Sequence, residues 1–195
     1  MGRQAALLTE SNLFDFFRER VETAVVHQRA PVSENAVYYL SNLLAENARR
    51  GEGPAEEDEP TLVELQHRAV HAPPAEAVTH WRRLGDNSLV VAGFFRESLE
   101  RRAVSRDYYE RMGSTAYRAL ERILGGGSFA EIFAELGDRY RACVEVLSEV
   151  RDEARERTDT DILKLYEEWL TTGSPRVADR LRALGVVPAR CVGQG

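Results

Sequence analysis

Residues 128–154 read SFAEIFAELGDRYRACVEVLSEVRDEA. Within them Phe129, Phe133, Leu136, Tyr140, Cys143, Leu147, Val150 and Ala154 follow one another at alternating intervals of four and three. That spacing collects side chains on one side of an α-helix, whereas a strand would scatter them over both faces. The stretch therefore predicts one long amphipathic helix, with Gly137 as the blemish at which it can kink. Just before it, Gly125-Gly126-Gly127 closes a second apolar series, Tyr109, Met112, Ala116, Leu120 and Ile123, which Ser105 is placed to cap. Ser128 and Glu131 have the spacing of a capping box at the return. Two amphipathic helices joined by a glycine turn predict a long antiparallel hairpin within the chain.

Helical signals continue on both sides of this hairpin. Leu13, Phe14, Phe17, Val21, Ala24 and Val25 recur at helical spacing over about Ser11 to Arg29, and Pro31 stops them. Ser33 is placed to cap a second helix through Val37, Tyr39, Leu40, Leu43 and Leu44. Thr61 and Glu64 form a T-x-x-E box that opens a short helix, ended by Pro73 and Pro74. A helix over Ala75 to Leu84 follows, with Gly85-Asp86-Asn87-Ser88 as its interruption, and then the most apolar segment, LVVAGFF at 89–95. Its length and neighbours favour a buried helix in which Gly93 permits close approach of another helix. Asp159 or Thr160 is placed to cap a helix carrying Ile162, Leu165, Tyr166 and Trp169. Ser174, Pro175 and Gly185 frame a last one.

No run alternates apolar and polar residues for long, and no Asn-Gly or Asp-Gly turn occurs. The fold class is all-α: one irregular bundle of about seven or eight helices, spanning 1–195 as a single domain. Residues 51–60, GEGPAEEDEP, form an acidic flexible loop, and 186–195 a frayed tail.

The chain has 195 residues, 43% hydrophobic and 30% charged, enough for a core and a solvated surface. No window approaches a membrane-spanning length without charge, so no membrane insertion is expected. Charges resume at Glu10, too early for a secretory leader, and two cysteines make no disulfide framework, which points to the cytoplasm. The net charge of −6 and the interspersed arginines argue against nucleic acid as a partner.

Candidate chemistry lies between residues 64 and 117. His67 and His71, with Glu64, fall within about 60° of one another on a helix. Two imidazoles and a carboxylate at that spacing are metal-ligand types, with His80 the nearest further donor. Leu62, Val63, Leu65, Ala69 and Val70 are expected on the opposite, inward side. From His80 to Tyr117, arginines interleave with Trp81, Phe94, Phe95, Tyr108 and Tyr109. Arginine and aromatic side chains together recognise carboxylates, phosphates and protein partners. His80, Arg83, Asp86, Arg106, Asp107 and Tyr108 are the candidate ligand or partner residues. Cys143 sits on the apolar seam, no nucleophile motif or nucleotide loop occurs, and the GGGS at 125–128 reads as a hinge. No catalytic residue and no cofactor are assigned. The sequence is thus read as a non-enzymatic helical protein that binds a protein partner, forms a homo-oligomer or regulates an assembly. The alternative is a small-molecule or metal-binding protein using the 64–117 cluster.

Leu147→Asp, which places a charge on the seam, is expected to cost several kcal/mol, against under about 0.5 kcal/mol for Glu145→Ala off it. Equal melting temperatures for the two variants would show the register to be misread.

Overall fold

A computed structural model describes residues 10–50, 60–95 and 105–188, and every structural statement below concerns those residues. The elements are all helices: α1 Glu10–Gln28, α2 Glu34–Arg50, α3 Leu62–His71, α4 Pro74–Gly93, α5 Arg106–Leu124, α6 Ser128–Asp138, α7 Tyr140–Thr172 and α8 Pro175–Ala183. No strand occurs among the described residues. Nor is any helix among them long and apolar enough to cross a membrane. The expected acidic loop at 51–59, Cys191 and the last residues from 189 lie outside them.

The chain gathers into two compact units, one up to Arg151 and one from Asp152 onward, and α7 contributes to both. In the first unit α1 packs on α2, α3 on α4, α4 on α5 and α5 on α6. The core centres on the first half of α7, where Cys143, Val144, Val146, Leu147 and Val150 have no exposed surface. Ser148 and Arg151 are buried with them. A helix apolar on a single seam would leave Val144 and Val146 in water; here they are buried too, while Arg141 and Glu145 stay exposed on the remaining side.

The caps follow the local sequence. Thr61 and Glu64 form the reciprocal capping box of α3. Ser105 accepts from the Tyr108 N–H at the start of α5, and Gly125 ends that helix at φ 68°. Ser33 accepts from the Ala36 N–H, while its own N–H donates to Glu135 Oε1 at 2.7 Å.

Four local expectations are corrected. The predicted helix over 128–154 is two helices, broken at Arg139, whose φ of −107° and ψ of 23° leave the helical region. Gly137 lies against α5, where a Cβ would stand 2.8 Å from Arg118 Cγ, and the Arg139 guanidinium is held by Pro31 O and Glu135. The second capping box is not formed: Gly127 occupies the cap position, which moves Ser128 into the helix. Residues 85–88 do not interrupt α4. Ser88 donates to Leu84 O at 2.7 Å, Gly85 sits against the Tyr117 ring and Asp86 is tied to two tyrosines, so each turn-forming residue has a helical role. Finally, no break occurs near Asp159, and α7 runs on to Thr172.

The second unit has its own small core of Leu165, Val177 and Leu181, with Ile162, Tyr166, Trp169 and Val186 against it. Ser174 stands at the N-cap position of α8 without a side-chain capping bond, and Pro175 opens the helix. Gly185, at φ 80°, donates to Arg182 O, and Val186 donates to Leu181 O, closing the helix with the paired bonds of a Schellman motif. Val186 is thereby part of a helix end, not of a frayed tail.

Close approach at Gly93 is confirmed: a Cβ there would lie 2.7 Å from Leu147 Cβ and 3.0 Å from Val144 O. Backbone cannot yield as a flexible side chain does. Gly93→Ala is expected to destabilise by about 1–3 kcal/mol in denaturant titration despite alanine's better helix propensity. A neutral or stabilising result would mean that α4 and α7 are not in contact there.

Candidate functional site

Asp86 lies in the middle of α4, on a face that sequence alone assigns to a turn. Its carboxylate Oδ1 accepts from Tyr39 Oη of α2 at 2.7 Å and from Tyr117 Oη of α5 at 2.8 Å. Arg82, one helical turn earlier, brings Nε to 3.4 Å from Oδ2 and sets its guanidinium 5.7 Å from the Tyr39 ring centre. The Asp86 side chain keeps 15% of its surface exposed. Around it the rings interlock. Phe133 stacks on Tyr117 at 5.8 Å and meets Tyr39 edge-on at 5.6 Å, and Tyr140 lies 5.9 Å from Tyr117. A Cβ at Gly113 would overlap the Tyr140 hydroxyl, which is buried and has no hydrogen-bond partner among the described residues.

The electrostatics follow from this packing. Burial raises the Asp86 carboxyl above its ordinary range, against the opposing hydrogen bonds of Tyr39 and Tyr117 and the charge of Arg82. Burial, and then the Asp86 carboxylate, push the Tyr39 and Tyr117 phenols far above theirs. None of these phenols exchanges protons at neutral pH. The cluster's chemistry is to tie three helices to one carboxylate. The Cys143 thiol, buried in the α7 core, is pushed up to about 12 by burial and is likewise no nucleophile at neutral pH.

The other candidates go elsewhere. Arg106 pairs with Glu110 at 2.9 Å and with Glu145, and Arg141 completes the group by reaching Glu110 at 3.1 Å. This network pins the start of α5 to α7. Tyr108 is half-buried with its ring edge-on to Tyr109 at 5.7 Å, and Asp107 is exposed. Arg83 is exposed and His80 half-buried on α4. The structure therefore brings Asp86 together with Tyr39, Tyr117 and Arg82, and gives Arg106 a separate set of partners.

On α3 the His67 and His71 rings lie 4.3 Å apart, with His71 Nδ1 2.8 Å from His67 O. Glu64 is spent on the helix start: its carboxylate accepts from Thr61 N–H at 2.7 Å, which holds it below its ordinary range. Among the described residues no group of three His, Cys, Asp or Glu stands ready to hold a metal ion. Val63 and Val70 are not inward, as expected, but 60% and 61% exposed. At about 100° per residue they share a stripe with His67, while Leu65 and Ala69 take the buried face.

Sequence reasoning missed Tyr39. It was counted with the apolar stripe of α2, yet a buried phenol needs a hydrogen-bond partner. An aspartate flanked by Leu84 and Leu89 needs one too, and matching the two needs was the available signal.

Asp86→Ala leaves two phenols without their acceptor and is expected to cost about 2 kcal/mol or more. The folded protein also holds the Asp86 proton more tightly than the unfolded chain, so that proton adds a stabilisation that is complete below the ordinary carboxylate range. It is lost as pH rises through the raised folded value. Asp86→Asn cannot ionise, so its stability should gain on wild type as pH rises. Denaturant titrations across acid to neutral pH measure this, and parallel curves would refute the upward shift.

No protein family, no curated protein sequence and no solved structure matches the chain.

Proposed function

We propose that the protein is a non-enzymatic helical module that binds a protein partner through the outer face of α3. One observation carries the reading: α3 is apolar on two sides and the fold covers one. Leu65 and Ala69 pack inward, whereas Val63 and Val70 stand more than half exposed with His67 between them. Anchors at i, i+4 and i+7 on a solvent-facing helix are the pattern by which helices seat in apolar grooves. The buried polar groups support the same reading from the other side. Asp86, Tyr39 and Tyr117 are occupied with one another, and Arg106 with Glu110 and Glu145, so they serve the scaffold. The proposal includes a cytoplasmic setting, in keeping with the free Cys143 thiol.

The test places a photo-crosslinking amino acid at His67 and, as control, at Glu131 in the living cell. The His67 position is expected to give a discrete protein adduct that Val63→Glu with Val70→Glu abolishes. Melting of the double variant should stay close to wild type, since both positions face water. Adducts identical at the two positions, or unchanged by the double substitution, would refute the proposal.

A further inference from the structure

α3 carries two imidazoles that the scaffold does not use. His67 and His71 stand one helical turn apart, both exposed, with ring centres 4.3 Å apart and ring planes tilted by 30°. His71 Nδ1 lies 2.8 Å from the His67 carbonyl oxygen. A carbonyl only accepts, so Nδ1 carries the proton of the neutral ring and the lone pair stands on Nε2. Tying one ring nitrogen to a backbone carbonyl is how proteins orient a histidine whose other nitrogen binds a metal. Among the described residues neither ring makes a further hydrogen bond or an ion pair.

The spacing suits one ion. Two nitrogens bound to a tetrahedral ion at about 2.0–2.1 Å stand about 3.4 Å apart, a separation open to two imidazoles stacked on one helix face. His71 is also the last residue of α3, the end at which the helix dipole favours a cation. Glu64, three residues before His67, is engaged by Thr61 through Oε2. No third His, Cys, Asp or Glu among the described residues completes a set. The pair is therefore a two-ligand chelate, whose remaining positions are left to water or to a donor of another molecule.

We propose that His67 and His71 bind one divalent transition-metal ion of the kind imidazole prefers, such as Zn2+, on the outer face of α3. An ion held there links two successive turns of the helix and stabilises the folded state. The site does not rest on the partner role proposed for that face, because ion binding is measured on the purified chain with no partner present.

The experiment titrates the full chain, free of any affinity tag, with Zn2+ in a calorimeter. Saturable binding is expected, and His67→Ala and His71→Ala should each weaken it by at least about tenfold. His27→Ala and His80→Ala should bind as wild type does. Gln66→His with His67→Ala keeps the number of imidazoles but sets the two about 140° apart around the helix, and should lose binding as His67→Ala does. Zn2+ should also raise the melting temperature of wild type and not of these three weakened variants, whose melting without metal should stay close to wild type. No saturable binding, binding unchanged by either alanine substitution, or full binding by the displaced pair would overturn the proposal.

Discussion

A single carboxylate oxygen holds the first unit in register. Oδ1 of Asp86 accepts from Tyr39 on α2 and Tyr117 on α5, so three helices distant in sequence meet at one atom. The apolar contacts around it are short-range and tolerant, and side chains of similar volume can slide over one another at little cost. Two hydrogen bonds to one acceptor cannot slide. They demand that the rings reach the carboxylate at the same depth, and Phe133 and Gly85 then follow from that demand. Phe133 stacks on Tyr117, and Gly85 admits the same ring where a Cβ would stand 2.6 Å from its Cε1. Leaving such donors unmet in the interior is costly, which gives alternative packings of the bundle a penalty.

The first half of α7 supplies the complementary constraint. Its residues are buried over a wide arc that leaves only the side of Arg141 and Glu145 in water, so several neighbours must pack against it. α4 approaches so closely at Gly93 that Ser148 Oγ lies 3.1 Å from the Gly93 carbonyl oxygen. From α1, Gln28 donates to Glu145 O and to Glu149, and from α5, Arg106 reaches Glu145. The polar ends of these contacts sit at the rim, where water shares the cost of desolvation. They orient the helices more than they stabilise them.

Helix identity was legible in the sequence because apolar spacing and cap chemistry are local. The Thr61–Glu64 box, the Ser105 cap and the glycine-closed end of α8 each depend on residues within one turn. What the sequence obscured was how tertiary contacts reassign the same residue types. Gly85, Asp86 and Ser88 are turn formers in isolation, but α4 runs through them because Tyr117 and Tyr39 arrive from other helices. The heptad of 129–154 marked a helical stripe without marking that Val144 and Val146 would also be covered, or that Arg139 would end one helix and Tyr140 begin the next. Of the candidate residues, Asp86 is offered by the sequence for contact with a ligand or partner, whereas the two hydroxyls that bond to it lie 47 and 31 positions away, beyond any local pattern. Val63 and Val70 were misplaced because a short helix with two apolar faces has no unique inward side until its neighbour is known.

That last ambiguity bears on how such a protein works. Asp86, Tyr39 and Tyr117 are spent on one another, whereas some apolar surfaces stay uncovered by the fold. Two of these are helical stripes with a repeat of seven, Val63 to Val70 on α3 and Leu163 to Leu170 on α7. The two differ in what borders them. The α3 stripe has His67 between its valines, and the α7 stripe has Glu167 between its leucines. Both stripes lie outside the buried core, so a contact made at either one would leave the Asp86 cluster undisturbed.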